Sequence, residues 1–393
     1  MFQILDEKNT CPLLYVDGKL TKETKTPLTE TWSYASFLGT QPIEYAQLYC
    51  NGKTLNEVCP EHLRPQWEQI YSRLKAFYRA TSQAKLDLNI HCFYDMVPRN
   101  FLIEFCEIKN KISRYVLDTH DKPANYDFLA DLQRVTTDIS QRKLSLNFNN
   151  LRDLAHQPLI RKLMKNDRYH RQYIKYNPFG TKTGRLSSRR SSFPILTMNK
   201  SLRKIVEPNN DWFVEFDYNA MELRVMLGLC GTPQPQEDIH EWNIKNLFED
   251  IETREAAKKK MFAWLYNPTA QDSQLSKIYN RNQILKEHWT GQQVETIYNR
   301  IIEADRHHAL NYIIQSTAAD LFLRQMIKLW EKLEGKDSYV AFCLHDSVVL
   351  DFSEKDMRNL VELKKMFADT RFGDFLVNVS AGKNFGEMKK IKI

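Results

Sequence analysis

The chain has 393 residues, of which 42% are hydrophobic and 27% charged, so it can form globular cores and is not expected to be disordered throughout. Its 12 glycines are too few for a collagen-like or linker-rich architecture, and its length allows two or three domains. The net charge of +7 suits a polyanionic partner, although a neutral enzyme of this length could also carry it.

The cysteines and the N-terminus indicate the compartment. The seven cysteines are scattered and include no C-x-x-C pair, which favours a reducing compartment over a disulfide scaffold or a zinc site. Residues Met1 to Glu7 carry acids where a signal peptide carries bases, and no segment approaches the roughly 20 apolar residues of a membrane span. We therefore expect a cytoplasmic protein without membrane contact.

The first third of the chain gives mainly structural signals. Leu13–Val16 predicts a strand, and Pro65–Lys85 predicts an amphipathic helix with apolar residues at helical spacing. Residues 94–177 are predicted to be largely helical and basic. Within them, Arg168–Tyr173 interleaves basic and aromatic residues, which suits a surface that follows a nucleic-acid strand. A solvated helix face with its aromatic residues turned into the core is the alternative.

Two stretches in the middle of the chain are more specific. Thr181–Ser188 reads T-K-T-G-R-L-S-S, in which Gly184 allows a backbone turn and the hydroxyls can donate to phosphates. Trp212–Asp217 is a β-prone run that ends in an aspartate, and the residues from Tyr218 onwards are predicted to be helical. Asp217 could hold a cation at this strand end, or it could cap the helix that follows.

A basic helix is predicted over residues 253–266, with Thr253 or Asp250 as its cap. Arg254, Lys258 and Phe262 recur at intervals of four residues and form one stripe, about 12 Å long at the usual helical rise. This is about the length of a nucleoside triphosphate, so two cations could meet the phosphates while the ring meets the base and sugar. A solvated basic surface is the alternative.

The last third predicts a long helix and a hairpin. The helix spans residues 304–334 and ends near Gly335. Two apolar runs in residues 339–352 flank His345-Asp346-Ser347, which predicts a β-hairpin with these residues at its tip. Asp346 is either an ordinary turn residue or the partner of Asp217 in a site for two divalent ions.

Several of these stretches resemble the motifs of the family A DNA polymerases, the bacterial polymerase I-like group. Asp217–Arg224 resembles motif A, and residues 254–266 match the motif B pattern R-x-x-x-K-x-x-x-F-x-x-x-Y at all four positions. Leu344–Asp346 resembles motif C, and the three motifs occur in the order of the family. Similar matches to shorter elements lie at Thr183–Ser188 (T-G-R-L-S-S), Asp238–His240 (D-I-H) and Asn311–Gln315 (N-x-x-x-Q).

The resemblance implies roles for individual residues. It implies metal binding by Asp217, Asp346 and the carbonyl of Tyr218, with Asp217, Asp346 and Lys258 as catalytic residues. Nucleotide contacts are implied for Glu222, His240, Arg254, Lys258, Phe262 and Tyr266, and DNA contacts for Arg185, Asn311, Gln315 and His345. Glu222 would exclude a ribose 2′-hydroxyl, whereas without the resemblance it would be a surface helix residue. Tyr266 is expected to be rotated away from the stripe, towards the templating base.

The implied fold is α+β, a right-hand polymerase with an antiparallel palm sheet, helical fingers and a helical thumb, after a small N-terminal α/β or α+β segment. The expected ranges are 1–95 for the N-terminal segment, a reduced exonuclease-like remnant or of unknown role, and 96–178 for the thumb. The palm would comprise 179–236 with motif A and 305–393 with motif C, and the fingers 237–304 with motif B.

The implied function is template-directed addition of dNTPs to a primer 3′-hydroxyl by two-metal phosphoryl transfer. The expected cofactor is a pair of Mg²⁺ ions, with Mn²⁺ as a substitute. The expected partners are a primed DNA template, dNTPs, and replication accessory proteins or a separate exonuclease, with the chain itself a monomer. The compact length suggests a viral source, which would place the protein in the cytoplasm of a host.

Departures from the family pattern leave alternatives open. Ala263 and Asn267 stand where the family usually has glycines, and His307 stands where it has an arginine. Ser347 replaces the motif C glutamate and gives the H-D-S triplet that is usual in single-subunit RNA polymerases. The alternatives are therefore an RNA polymerase of that kind and an inactive relic that binds primed DNA. No D-x-E pair in a strand context is found in residues 1–95, so proofreading is not expected, and a proofreading polymerase is the third alternative.

Overall fold

The computed structural model describes residues 1–7, 11–248, 251–267 and 269–393. Contacts within the chain divide it into two compact units, Met1–Gln141 and Arg142–Ile393. The division into thumb, palm and fingers stays a prediction, and Asp250, one of the two expected helix caps, lies outside the described residues. None of the helices in the described ranges combines the length and apolar composition needed to cross a lipid bilayer.

The first unit combines short strands with three longer helices. In chain order its elements are β1 (Phe2–Ile4), β2 (Leu14–Val16), β3 (Lys19–Thr21), β4 (Glu30–Thr31), β5 (Glu44–Tyr45), α1 (Ala46–Tyr49), α2 (Leu55–Val58), α3 (Arg64–Gln83), α4 (Arg99–Thr119) and α5 (Tyr126–Gln141). Strands β1, β2 and β3 form an antiparallel sheet, and β4 pairs with β5 in parallel. The strand and the amphipathic helix predicted for this region are confirmed as β2 and α3.

The apolar faces of α3 and α4 form the core of this unit. Trp67 and Ile70 of α3 are buried against Phe101 and Phe105 of α4. Burying a side chain of this size contributes about 1.5–3 kcal/mol, so helical spacing of apolar residues is enough to fix both helices.

The expectation that the cysteines are unpaired is wrong for two of them. Cys11 and Cys92 form a disulfide between positions 81 residues apart. The free cysteines are Cys50, Cys59, Cys106, Cys230 and Cys343. The two partners share no local motif, and only the folded chain brings them together, so their spacing gave no signal.

The second unit holds the predicted polymerase motifs. Between residues 142 and 288 its elements are β6 (Ser145–Leu146), α6 (Pro158–Met164), β7 (Tyr176–Asn177), β8 (Ser187–Ser188), β9 (Val206–Glu207), β10 (Trp212–Tyr218), α7 (Met221–Leu229), α8 (Ile239–Leu247), α9 (Arg254–Tyr266), α10 (Ser273–Ile278) and α11 (Arg281–His288). They are followed by β11 (Gln293–Glu295), β12 (Ile301–Glu303), α12 (Arg306–Lys332), β13 (Tyr339–Cys343), β14 (Ser347–Phe352), α13 (Leu360–Ala368), β15 (Asp369–Thr370), β16 (Gly373–Asp374), β17 (Val377–Gly382) and β18 (Lys389–Ile391).

A five-stranded antiparallel sheet is the centre of this unit, with the strand order β13-β14-β10-β17-β18. The middle strand, β10, buries Phe213 against Phe342 of β13, and it buries Phe216 near Phe367 of α13. Both faces of β10 are therefore anchored by aromatic residues. The predicted strand and the predicted hairpin are both confirmed, and the hairpin turn falls between β13 and β14.

The helices match their predictions with one difference. Helix α9 is capped by Thr253, whose side chain accepts from the Ala256 N–H, and α12 ends just before Gly335. Helix α7, however, begins at Met221, because Ala220 adopts a left-handed conformation with φ of 49°. The alternative reading of Asp217 as a helix cap is therefore wrong.

Candidate active site

Asp217 and Asp346 lie at the same end of the neighbouring strands β10 and β14. Asp217 pairs with Ser347, the residue after Asp346, and the Tyr218 N–H donates to the carbonyl oxygen of Asp346 across 3.3 Å. The Asp217 side chain is half-buried, and Asp346 is exposed at the hairpin tip. The antiparallel register thus brings together two acids that are far apart in the sequence.

The charge of Asp346 makes Asp217 harder to ionise. Burial, then the charge of Asp346, then that of Glu215 raise the pKa of Asp217 to about 7, against an ordinary value of 3.8. Desolvation by the protein atoms around its carboxyl group also raises the pKa of Asp346. A divalent cation would offset this repulsion, and oxygen atoms of carboxylates are the ligands that Mg²⁺ prefers. The residues present therefore fit a divalent cation.

The carboxylates at this strand end are not a compact ready-made ligand cluster. Among the described residues, the only three metal-binding side chains whose ligand atoms lie within 4.8 Å of one another are Asp6, Cys11 and Cys92. Both of those sulfurs are already in the disulfide. At Asp217 and Asp346, any further ligand would come from the backbone, from water or from a substrate.

Two tyrosines hold the strands that carry these acids. The Tyr218 ring stacks on Phe367 at 4.3 Å, and its hydroxyl donates to the Phe367 carbonyl oxygen. The Tyr176 hydroxyl, on β7, donates to the carbonyl oxygen of Cys343 across 2.6 Å and accepts from the Cys343 N–H across 3.0 Å. These contacts fix the backbone on both sides of the acidic strand end.

A cavity of about 270 Å³ opens beside Asp346. Its lining includes Arg185, Glu222, Phe262, His345 and Asp346, together with small and apolar residues of α7 and α12. Four separate stretches of sequence supply these five side chains. The cavity therefore collects residues that the resemblance assigned to metal, nucleotide and DNA.

Glu222 is the centre of a hydrogen-bond network at this cavity. Its carboxylate accepts from Arg185 Nη2 across 2.5 Å and from the Tyr266 hydroxyl, and the Tyr266 hydroxyl also interacts with Gln315. The side chain of Glu222 is 15% exposed, unlike a solvated helix residue. The rings of Tyr266 and Phe262 stack at 5.8 Å with an angle of 8° between their planes.

The stripe on α9 faces α8. Lys258 Nζ lies 5.9 Å from the centroid of the Phe262 ring, and the ring of His240 lies 6.3 Å from Phe262. His240 is buried, and burial lowers its pKa. Arg254, the first residue of the stripe, forms two hydrogen bonds with Asp238, at 3.1 and 2.9 Å.

Asp238 is a junction that the sequence prediction did not assign. It caps α8 and also accepts from Asn219 and Arg254. Burial opposes its ionisation, but the hydrogen bonds from Arg254, Asn219 and the His240 N–H prevail and lower its pKa to about 2. Its position just before a helix was the available signal for the cap, whereas the bond to Arg254 depends on the tertiary fold.

Arg224 is a second residue whose function only the structure shows. It is fully buried, and its guanidinium donates to the backbone carbonyl oxygens of Asn219, Pro235 and Glu237. It therefore holds the loop between α7 and α8, and with it Asp238, in place.

The loop that carries Arg185 rests on a buried ion pair. Arg300 donates to Asp320 across 3.0 and 2.6 Å, and Asp320 has no exposed surface. Gly184 has φ of +78°, and a Cβ there would lie 2.5 Å from the Arg300 guanidinium. Only glycine fits this close approach, so the backbone of the loop next to Arg185 packs directly on the Arg300 guanidinium.

A basic cleft of about 910 Å³ continues from Arg185 and His345. Its lining includes five more cationic residues: Lys165, Arg168, Arg171, Arg189 and Arg190. The sequence prediction had singled out residues 168–173 as a strand-tracking surface, and Arg189 and Arg190 extend it. On α12, one turn before Gln315, Asn311 Oδ1 is buried and has no hydrogen-bond partner within the described residues.

A central antiparallel sheet with two acids at one end, beside a helix that carries a cationic stripe, is the arrangement predicted for a polymerase palm and fingers. Comparison with known proteins shows a similarity to one family. The sequence model of DNA polymerase family A matches residues 99–283 of this chain. Over these residues the chain is therefore similar to the family A DNA polymerases.

Individual relatives are similar at modest identity. A thermostable DNA polymerase I of Thermus filiformis is 26% identical over 274 residues, covering 56% of this chain and 33% of that protein. A DNA polymerase I of Chloroflexus aurantiacus is 26% identical over 282 residues, covering 58% of this chain and 30% of that protein. The chain spans about a third of the length of these curated relatives.

A solved structure is similar in fold. The POL domain of Pol1 from M. smegmatis, in complex with DNA primer-template and dNTP, superposes with a TM-score of 0.57 at 13% identity. The match covers 73% of this chain and 75% of that domain. This likeness confirms the α+β polymerase fold.

Proposed function

We propose that the chain is a template-directed DNA polymerase that adds deoxynucleotides to a primer 3′-hydroxyl. The observation that carries the proposal is the meeting of Asp217 and Asp346 at one strand end, beside the cavity lined by Glu222 and Phe262. The similar fold of a polymerase domain that holds DNA primer-template and dNTP supports it.

Asp217 and Asp346 would hold two divalent ions, Mg²⁺ or Mn²⁺, with the Tyr218 carbonyl as a further oxygen ligand. When bound, these ions would supply charge neutralisation for phosphoryl transfer and orient the reacting oxygens. The protein's own part is to position the groups and to lower the entropy cost of bringing them together.

The stripe on α9 would bind the incoming nucleotide. Arg254 and Lys258 carry positive charge towards the phosphates, with His240 beside them, and Phe262 would pack against the base and sugar. Arg254 is bound to Asp238 in this structure, so a triphosphate must compete with that carboxylate or join it through a shared network. Nucleotide binding would therefore loosen the contact between α9 and the start of α8.

The network at Glu222 would select the sugar and the primer. Glu222 lines the cavity and is held by Arg185 and Tyr266, so a ribose 2′-hydroxyl would meet an oriented carboxylate. Arg185 would contact the minor groove near the primer end, where the acceptors are much the same for every base pair. Binding primed DNA would then draw Arg185 away from Glu222. His345, Asn311 and Gln315 would contact the primer terminus and the template.

The finer expectations complete the proposal. We propose the thumb, palm and fingers at the ranges given above, a cytoplasmic monomer, no proofreading in this chain, and accessory proteins or a separate exonuclease as further partners. An RNA polymerase is the second candidate, and Ser347, part of an H-D-S triplet, is the observation that favours it.

Primer extension tests the proposal. A labelled primer on a defined template is incubated with dNTPs or rNTPs, with and without Mg²⁺, and extension with dNTPs that requires Mg²⁺ is expected. Asp217→Asn should abolish extension yet bind primed DNA in a fluorescence anisotropy titration. Preference for rNTPs would support the second candidate, and a wild-type chain that binds DNA without extending it would show an inactive relic.

A mismatched primer tests the absence of proofreading. The labelled primer is incubated with the chain and Mg²⁺ in the absence of nucleotides, and it should keep its length. Shortening of the primer, retained after Asp217→Asn blocks extension, would assign a nuclease site elsewhere in the chain.

A further inference from the structure

Strand β10 carries a second acid on the same face as Asp217. Side chains two positions apart on a strand share a face, so Glu215 lies beside Asp217, about 7 Å along the strand. The cross-strand partners of Glu215 are Val349 on β14 and Ser380 on β17. Glu215 therefore lies between a valine and a serine on the face of the sheet that carries Asp217.

Ser347 connects this acid to the candidate active site. It is the cross-strand partner of Asp217, and its hydroxyl donates to Glu215 Oε1 across 2.9 Å. Ser347 is 2% exposed, so water does not compete for this hydrogen bond. One buried hydroxyl thus orients the carboxylate of Glu215 next to both Asp217 and the turn that carries Asp346.

We propose that Glu215 supplies a third negative charge to the divalent cation site of Asp217 and Asp346, and that Ser347 positions it there. This inference rests on the proposed function. Glu215 acts through its charge rather than as a ligand of a tight cluster, since no such three-residue cluster forms at this strand end among the described residues. Ser347 itself carries no charge, and the carboxylate comes from the adjacent strand.

A structural explanation competes with this one. Arg203 lies close enough to Glu215 to stabilise its charge, so Glu215 could serve only to hold Arg203 in the fold. The two explanations differ in what removal of the charge does to cation affinity, because a purely structural partner would leave that affinity unchanged.

The test is a Mn²⁺ binding titration of the full chain, without DNA or nucleotide, in which electron paramagnetic resonance measures free Mn²⁺ at pH 8. Glu215→Gln keeps the shape and removes the charge, and it should weaken Mn²⁺ binding roughly tenfold, as expected for one charge at this distance in a partly solvated site. Ser347→Ala keeps every charge and removes the orienting hydroxyl, and it should weaken binding roughly threefold. Asp217→Asn is the control for loss of the site itself.

Two further variants make the result specific. Glu215→Gln combined with Ser347→Glu returns a carboxylate to the site from β14 and should restore most of the affinity. Glu354→Gln, at the far end of β10 where Glu354 accepts from Trp212 Nε1, should bind Mn²⁺ like the wild type. A thermal melt of each variant checks that it is folded.

The outcomes separate the inference from the proposed function. If the wild type binds Mn²⁺ and both Glu215→Gln and Ser347→Ala bind it equally well, the inference is wrong and the cation site stands. If the wild type binds no Mn²⁺, or if Asp217→Asn leaves its Mn²⁺ binding unchanged, both the cation site and the inference are wrong. Weakening by Glu215→Gln with recovery in the double variant supports the inference.

Discussion

Removing the Arg300 side chain should destabilise the second unit more than the loss of an exposed ion pair does. Asp320 is fully buried, and its two hydrogen bonds come from Arg300, at 3.0 and 2.6 Å. Arg300→Met would leave a buried carboxylate without its hydrogen-bonded cationic partner, which costs about 3–5 kcal/mol. Arg300→Met combined with Asp320→Leu removes both charges and should recover much of that loss, because replacing both partners by apolar groups is often nearly neutral.

Urea denaturation of the wild type, the two single variants and the double variant measures this as a cycle. A coupling energy of at least about 2 kcal/mol is expected for groups in direct contact. Lys355→Met breaks the exposed ion pair with Asp337, with side chains 82% and 48% exposed, and should leave the midpoint unchanged. Additive single-variant losses, or a loss at Arg300 no larger than at Lys355, would refute the reasoning.

Three further predictions concern other parts of the chain. Asp217→Asn should stabilise the protein by about 1–3 kcal/mol at pH 8 without divalent ions. The Asp217 carboxyl has a raised pKa of about 7, so the folded state of the wild type loses stability as the pH rises from about 4 to 7. Thermal melts at pH 5 should therefore show a smaller gain for the variant than melts at pH 8. Cys92→Ser should cost about 2–5 kcal/mol by removing the bond to Cys11, and a reducing agent should lower the melting midpoint of the wild type but not of the variant. Gly228→Ala should cost about 1–3 kcal/mol in denaturant, because its Cβ would overlap the ring of Phe372, and Phe372→Ala in the same chain should remove that penalty.

Local pattern was enough for the elements that bury one regular face. The β-prone run Trp212–Asp217 predicted β10, and the helical composition of residues 253–266 predicted α9, with Thr253 as one of two candidate caps. The hairpin that carries Asp346 followed from two apolar runs around a polar tip. In each case the signal lies within the element itself, so no knowledge of its neighbours was needed.

The parts that were missed depend on contacts between distant segments. Ala220 adopts a left-handed conformation and so delays the start of α7, but alanine, unlike glycine or asparagine, gives no sequence signal for that conformation. Arg254 was expected to be free for phosphates, but α8 presents Asp238 to it. Glu222 by itself looked like a surface residue, and only Arg185 and Tyr266, from two other stretches, make it a partly buried hydrogen-bonded residue. Such pairings are set by the tertiary fold rather than by local spacing.

The hydroxyl of Tyr176 fixes the distance between two parts of the candidate site. It forms hydrogen bonds with both the N–H and the carbonyl oxygen of Cys343, the last residue of β13. Only a short stretch of chain separates Tyr176 from Gly184 and Arg185. The spacing between the proposed primer contact and the proposed cation site is therefore set by one short, doubly anchored segment. A change that shifts this tyrosine would move the two ends of the reaction relative to each other, even with every reacting group intact.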